Sequence, residues 1–180
     1  MTRNELEHII RAAGAILNET SIIIVGSQAI LGLADADGLP SEVTLSIEAD
    51  IVPLNDPDER KADLIDGTIG EGSPFHETFH VYAQGVNRDT SRLPHGWKSR
   101  LIAWATEGTK GVTGWLLDPY DLVVAKYLAN RPKDLDFCRA LGRSGLLDRE
   151  TLLERMGAAN CTDEERTLLL HKIQRDFHKT

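Results

Sequence analysis

Two acidic side chains on a predicted β-strand are the first residues of this sequence that could do chemistry. Glu48 and Asp50 are two residues apart in a segment that alternates polar and apolar side chains, so their carboxylates project from one face of the strand. Carboxylates this close repel each other unless a cation or a basic group neutralises their charge. Mg²⁺ suits the position because it binds one or two carboxylates together with phosphate oxygens. We therefore predict a metal site here; the outer face of a half-exposed strand is the alternative explanation.

A second feature is the abrupt change from strand to helix at Gly26-Ser27. The preceding run, 22–25, is apolar and β-branched, and a small-residue helical pattern follows at once. Glycine lets a ligand approach the backbone closely, serine is a good helix N-cap, and amides at a helix start bind anions. The pair predicts a phosphate-binding turn, although a helix cap without a ligand would look the same.

A third group of residues lies in the C-terminal part of the sequence. Lys126 interrupts a predicted helix that is apolar nearly all round, where a lysine must reach water or meet an anion. Arg131 precedes Pro132 and is predicted to lie at the exposed start of the next helix. Asp121 and Asp134 lie in the first turns of these two helices, where acidic side chains also favour the helix dipole. A capping role therefore remains an alternative for Asp121.

The elements that must position these residues are strands and helices up to residue 116 and helices alone thereafter. The predicted strands are 21–25, 44–52, 79–86, 100–105 and 112–116; the predicted helices are 3–18, 27–33, 57–65, 119–129, 132–142, 148–156 and 163–177; and 34–40 and 87–99 are predicted loops. This order predicts an α+β (mixed α/β) fold, with a mixed sheet flanked by helices and a helical C-terminal half. We predict an α/β core over 1–116 and a helical half over 117–180 that packs on it.

Composition narrows the class of protein. The chain has 180 residues, of which 41% are hydrophobic and 27% charged, as is ordinary for a soluble globular protein. No apolar run is long enough to span a bilayer, and the N-terminus is too polar for a signal peptide. Cys138 and Cys161 form no CxxC pattern, so neither a zinc site nor a disulfide scaffold is indicated. We expect a cytoplasmic protein without a membrane partner.

The net charge of −8 is unevenly distributed along the chain. Residues 1–87 carry 4 Lys/Arg and 15 Asp/Glu, whereas residues 88–143 carry 10 and 6. An acidic first half and a basic middle segment suit a site in which metal-binding carboxylates face a phosphate-binding lobe. Chance is the alternative explanation for this distribution.

Together, the Gly-Ser turn and the Glu-x-Asp strand resemble the signature of the nucleotidyltransferase superfamily with the polymerase-β-type fold. The signature maps onto Gly26, Ser27, Glu48 and Asp50. The sequence departs from it in three respects: Glu48 stands where aspartate is usual, the 20 residues between Ser27 and Glu48 are more than minimal members have, and the later strand on which many members carry a third carboxylate offers only Gln84. The resemblance implies a nucleotidyltransferase-like sheet.

The spacing of Asp121, Lys126, Arg131 and Asp134 resembles the second signature of the AbiEii/MenT-like branch of this superfamily. That branch contains nucleotidyltransferase toxins of toxin–antitoxin and phage-defence systems. The segment GEGSPFHETFHVYAQGV, followed by LPHGW, is also similar to a pattern in a small, largely uncharacterised subgroup. The resemblance covers roughly residues 20–140.

What the resemblance implies is transfer of a nucleoside monophosphate from an NTP to an acceptor, with release of pyrophosphate. The implied roles are catalysis for Glu48, Asp50 and Lys126, metal binding for Glu48 and Asp50, nucleotide binding for Gly26, Ser27, Lys126 and Arg131, and a supporting or acceptor-orienting role for Asp121 and Asp134. The metal would be Mg²⁺ or Mn²⁺. The implied acceptor is the 3′ end of tRNA or a protein, and a cognate antitoxin protein is an implied partner.

Other functions are compatible with the same residues. An antitoxin-type nucleotidyltransferase would AMPylate a partner protein, but such domains typically lack a further helical half. A catalytically inactive NTP-binding regulatory domain is favoured by Glu48 and by the missing third carboxylate, which Glu71 or Glu77 could replace. A generic α/β domain with accidental motifs is the remaining alternative.

Histidine and tryptophan residues give weaker signals. His76 and His80 are four residues apart, as in a helical zinc site, but the predicted strand over 79–86 excludes that geometry. Trp97, Trp104 and Trp115 are expected to pack against the sheet or core rather than to stack on bases.

Overall fold

The structure is a computed structural model that describes residues 1–33, 38–87 and 91–177. Part of each predicted loop, at 34–40 and at 87–99, therefore lies outside the described residues. Within the described ranges, no helix combines the length and apolar character that crossing a bilayer requires.

The described chain forms a mixed sheet flanked by helices, with helices alone after the last strand. The strands are β1 (Ser21–Ile24), β2 (Glu48–Val52), β3 (Tyr82–Gly85), β4 (Ile102–Trp104) and β5 (Thr113–Leu116). The α-helices are α1 (Arg3–Leu17), α2 (Ser41–Thr44), α3 (Arg60–Ile69), α4 (Pro74–Phe79), α5 (Pro119–Ala129), α6 (Pro132–Ser144), α7 (Arg149–Gly157) and α8 (Asp163–Asp176). Short 3₁₀ helices cover Ser27–Gly32, Trp97–Arg100 and Glu107–Thr109. The predicted α+β fold class is confirmed.

The strand order is β3-β2-β1-β5-β4. β1 runs antiparallel to β2 and parallel to β5, while β2 runs parallel to β3. In this register Glu48 lies opposite Tyr82, and Asp50 lies opposite Gln84. The alternation of β-strand side chains therefore brings these four polar residues to one face of the sheet.

The two faces of the sheet are covered differently. On one face, Ile24 and Ile51 belong to a large apolar core that includes residues of α1, α3 and α5–α8. On the other face, Ile23, Val25 and Val52 form a small cluster against which Trp97 and Trp115 pack, as expected for these tryptophans. The carboxylates of β2 lie on this second, less covered face.

The predicted strand over 44–52 is wrong in its first half. Residues 41–44 form the short helix α2, and β2 begins only at Glu48. Leu45 and Ile47, which the alternation places in the core, are 73% and 44% exposed. The physical reason is that β1 pairs with β2 only as far as Ile51 and that β3 begins at Tyr82, opposite Glu48, so the chain before Glu48 has a paired strand on neither side.

The predicted strand over 79–86 is also shorter than expected. Helix α4 precedes it because Ser73 is an N-cap, its hydroxyl accepting the His76 N–H at 3.2 Å, and Pro74 opens the helix. The helix ends at Phe79, and its C-cap residue His80 has φ of 58°. The strand argument against the histidine pair is therefore wrong, yet the described residues contain no cluster of three or more metal-ligating side chains.

Helix α3 begins three residues later than the predicted start at Pro57. Glu59 adopts a left-handed backbone with φ of 60°, which breaks the helical path, and Asp56 instead accepts the N–H groups of Lys61 and Ala62 at 3.0 and 2.9 Å. The helices predicted after residue 117 agree with α5–α8 to within two residues at each end. The division into 1–116 and 117–180 stays a prediction.

Candidate active site

A cleft with a volume of about 880 Å³ lies where the end of β1 and the middle of β2 meet helices α5 and α6. Seven of the sequence-predicted site residues line it: Gly26, Ser27, Glu48, Asp50, Lys126, Arg131 and Asp134. They come from four separate parts of the chain, so the tertiary fold brings together residues that are far apart in the sequence. Asp121 is outside the described lining of this cleft.

The acidic wall of the cleft is the pair Glu48 and Asp50 on β2. Burial, together with the negative charge and hydrogen bond of Glu48, raises the pKa of Asp50 to about 7, against the opposing effect of Lys126 and Lys133. Among the described residues, neither carboxylate forms an ion pair. Two neighbouring carboxylates without a contacting cation fit Mg²⁺ or Mn²⁺, which complete their coordination with water and phosphate oxygens.

Asp50 also explains the glycine in the Gly-Ser turn. A Cβ atom built on Gly26 would lie 1.6 Å from Asp50 Oδ2 and 2.5 Å from its Cγ. The backbone of Gly26 has φ of −62°, which any residue adopts, so conformation does not require glycine here. A side chain at position 26 would instead force the Asp50 carboxylate out of the space that it occupies.

The cationic wall is built around Lys126 on α5. Its ammonium group donates to Ser27 Oγ at 2.9 Å and to Asp134 Oδ1 at 3.0 Å, and lies 4.3 Å from the centre of the Phe137 ring. The residue is only 8% exposed, and of the two alternatives that the sequence left open, water or an anion, the structure shows an anionic partner, Asp134, with the Phe137 ring beside it. The contact with Ser27 links α5 directly to the turn after β1.

Asp134 holds two cations at once. Arg131 Nε donates to Asp134 Oδ2 at 2.6 Å while Lys126 occupies the other oxygen. Burial by itself would raise the pKa of Asp134, but the hydrogen bonds and positive charges of Arg131 and Lys126 outweigh it and hold the pKa below its ordinary value. The Arg131 side chain is 62% exposed, so it remains accessible to a ligand in the cleft.

The expected third carboxylate is replaced by an amide. Gln84 lies opposite Asp50 on β3 and lines the cleft. Glu71 and Glu77, which the sequence offered as replacements, are outside the described lining. Among the described residues of β2 and β3, the carboxylates that line the cleft are therefore Glu48 and Asp50.

Asp121 has a different environment from the other predicted residues. Its fully buried carboxylate accepts from Arg100 Nε at 2.8 Å and Nη2 at 3.0 Å, and Arg155 Nε lies 3.9 Å away. Burial raises the pKa of Asp121, and Arg100 opposes this effect. The capping role belongs to Asp118, which accepts the Tyr120 and Asp121 N–H groups.

Sequence reasoning missed three residues near the carboxylates and the cations. The Tyr82 hydroxyl donates to Glu48 Oε2 at 3.1 Å. Lys133 and Arg92 line the cleft, and Arg92 donates to the Leu128 carbonyl oxygen at 2.8 Å. Only Tyr82 had a usable signal, since Tyr82 and Gln84 repeat on β3 the two-residue spacing of the carboxylates on β2.

Comparison with known protein families gives a match over nearly the whole chain. The sequence profile of a family described as a nucleotidyltransferase of unknown function (DUF6036) matches residues 4–179. Neither the curated proteins nor the solved structures yield a match to the chain.

Proposed function

The chain belongs to this family of nucleotidyltransferases, and we propose that it transfers a nucleoside monophosphate from an NTP to an acceptor hydroxyl. The acceptor hydroxyl oxygen would bond to the α-phosphorus while its proton passes to water, the bond between the α-phosphorus and the α–β bridging oxygen would break, and pyrophosphate would leave. The observation that carries the proposal is one cleft in which Glu48 and Asp50 on β2 share a wall with Gly26-Ser27 and oppose Lys126 on α5.

Transfer of this kind depends mainly on charge neutralisation and alignment. Glu48 and Asp50 would hold Mg²⁺ or Mn²⁺, which when bound neutralises phosphate charge. Lys126 and Arg131 would neutralise the triphosphate, and Asp134 keeps both cations in place through its two oxygens. Ser27, which already accepts a hydrogen bond from Lys126, lies where a phosphate oxygen could compete for that donor.

For the acceptor, we propose the 3′ end of tRNA, and for the biological role a toxin with a cognate antitoxin protein in the cytoplasm. The support is the resemblance of Asp121, Lys126, Arg131 and Asp134 to the AbiEii/MenT-like signature, together with the basic segment 88–143. That segment contributes Arg92, Lys126, Arg131 and Lys133 to the lining of the cleft, and of these Arg131 and Lys133 are exposed and could contact the phosphates of a nucleic-acid acceptor.

The deciding experiment incubates the purified protein with each labelled NTP, Mg²⁺ or Mn²⁺, and total tRNA. Asp50→Ala is the test variant, and Asp58→Ala is the matched control because Asp58 is an exposed acid before α3. We expect label on tRNA with the wild type and Asp58→Ala and none with Asp50→Ala. Label on protein would identify an AMPylating enzyme, and no transfer with any NTP would overturn the enzymatic proposal.

A second candidate is an NTP-binding regulatory domain on the same fold. Gln84 at the position of the third carboxylate favours it, because an amide cannot accept the proton of the acceptor hydroxyl. Metal-dependent NTP binding without transfer to tRNA or protein is the result that this candidate predicts.

A further inference from the structure

One hydrogen bond beside the predicted metal ligands has no role in the function proposed above. Tyr82 lies directly opposite Glu48 in the parallel register of β2 and β3. Its phenol hydroxyl donates to Glu48 Oε2 at 3.1 Å. The two side chains extend from the same face of the sheet, so the contact is a direct cross-strand pair.

The ring of Tyr82 is itself held in place from the side of α4. The His76 ring lies 4.8 Å from the Tyr82 ring, at an angle of 50° between the planes. His76 Nδ1 accepts the N–H of Gly72 at 3.0 Å, which fixes the orientation of the imidazole. His76 therefore supports Tyr82, and the phenol has a defined position before any ligand binds.

We infer that Tyr82 is a positioning residue that orients the Glu48 carboxylate as a metal ligand. The inference rests on the proposed function, because it assumes that Glu48 and Asp50 bind a divalent cation. Glutamate has one more rotatable bond than aspartate, so a glutamate at this position loses more side-chain freedom when it binds a metal. The hydrogen bond from Tyr82 restricts that freedom before a metal binds, because Glu48 Oε2 already accepts the phenol hydroxyl.

The extra methylene of Glu48 and the phenol of Tyr82 thus form a matched pair. The longer side chain of glutamate reaches the hydroxyl on β3, whereas an aspartate at position 48 would end about one carbon–carbon bond, roughly 1.5 Å, short of it. Groups that orient metal ligands through a hydrogen bond typically change metal affinity by about 10- to 100-fold when removed. Tyr82 should therefore matter only while glutamate occupies position 48.

The test is a calorimetric titration of the full chain with Mn²⁺ alone, without nucleotide or turnover. The variants are Tyr82→Phe, Glu48→Asp and the double variant, with Tyr120→Phe as the matched control, since the Tyr120 hydroxyl bonds to the Asp148 N–H outside the cleft. We expect Tyr82→Phe to weaken Mn²⁺ binding about tenfold. The same change in the Glu48→Asp background should have no effect, and Tyr120→Phe should bind as the wild type does.

Three outcomes would overturn the inference. Unchanged Mn²⁺ affinity in Tyr82→Phe removes the positioning role while leaving the metal site intact. An equal loss in the wild-type background and in the Glu48→Asp background shows a general structural effect. A wild type that binds no Mn²⁺ removes the metal part of the proposed function together with this inference, and the labelled-NTP experiment then reports on transfer independently.

Discussion

At the scale of single residues, the contact between Gly26 and Asp50 connects the two motifs that the sequence presents separately. The Asp50 carboxylate fills the space of a Cβ at position 26, and the Val25 N–H donates to the Asp50 carbonyl oxygen at 3.0 Å. The turn and the acidic strand are therefore one unit. A substitution of Gly26 should therefore displace the Asp50 carboxylate.

Gly26→Ala tests this contact. The new methyl group cannot fit while Asp50 keeps its position, so we expect a loss of Mn²⁺ affinity of about tenfold or more and a destabilisation of about 1–3 kcal/mol. Calorimetry and urea denaturation measure the two effects. Gly67→Ala on α3 is the control, because a Cβ there meets nothing within 4 Å, and it should gain about 0.5–1 kcal/mol. Wild-type Mn²⁺ binding by Gly26→Ala would contradict the argument.

Asp134 makes a pH-dependent contribution to stability. Its pKa lies below the ordinary value of 3.8 in the folded chain, so the unfolded chain takes up its proton first as the pH falls. The stabilisation is therefore complete above the ordinary pKa and is lost as the pH falls through the lowered one. Asp134→Asn should cost about 2 kcal/mol at pH 7, and the difference from wild type should shrink below about pH 4.

Urea denaturation of the wild type and Asp134→Asn between pH 7 and pH 3 checks this expectation. Asp136→Asn is the control, since Asp136 is 74% exposed in a surface pair with Arg139. Its effect should stay within about 0.5 kcal/mol at every pH. If the difference in the free energy of unfolding between the wild type and Asp134→Asn grew as the pH fell, the prediction would be refuted.

At the scale of elements, the start of α3 shows a capping arrangement that the sequence pattern misplaces. The Asp-Pro dipeptide at 56–57 is a typical helix start, but the left-handed Glu59 delays the helix to Arg60. Asp56 still serves the helix, because its two oxygens accept the N–H groups of Lys61 and Ala62. The cap acts from a distance of several residues.

Asp56→Ala should therefore destabilise the protein by about 1 kcal/mol, as the loss of an N-cap does. Asp58→Ala is the comparison, because its exposed pair with Arg60 should contribute less than about 0.5 kcal/mol. Thermal unfolding of the two variants measures the difference. Equal effects for both variants would show that the two N–H bonds of Asp56 contribute nothing beyond a surface charge.

At the scale of the whole molecule, one buried ion pair joins three parts of the chain that are far apart in sequence. Asp121 on α5 receives Arg100 from the 3₁₀ helix before β4 and lies 3.9 Å from Arg155 on α7. Removing the acid would deprive Arg100, whose side chain is 21% exposed, of its charged partner and leave it the His95 carbonyl oxygen as an acceptor. This arrangement favours a role in stability over the acceptor-orienting role that the resemblance implies.

Asp121→Ala separates these two roles. We expect a destabilisation of about 2–3 kcal/mol, because Arg100 loses its charged partner but keeps the His95 carbonyl oxygen and partial contact with water. The NTP affinity of the folded fraction should remain unchanged. Denaturant unfolding and nucleotide titration are the measurements, with Glu154→Ala on the exposed side of α7 as a control. A variant that keeps its stability but loses transfer to the acceptor would support the implied role instead.

The sequence by itself determined the local features of this protein. The helices after residue 117 begin at residues such as Asp118 and Thr162, whose side chains cap them, so short-range signals suffice. Glu48 and Asp50 could be placed on one face because the period of a strand is local. The membership in the nucleotidyltransferases was likewise predictable from the turn at 26–27 and the acidic strand.

Only the tertiary structure decided the extent of the strands and the partners of the polar residues. β2 begins at Glu48 because its neighbour β3 begins opposite it at Tyr82, and no periodicity within 44–52 contains that information. Lys126 meets Ser27 across 99 positions of sequence, and Tyr82 meets Glu48 across 34. Side-chain chemistry predicts that a buried charge needs a partner, but the packing of the sheet against the helices decides which one it finds.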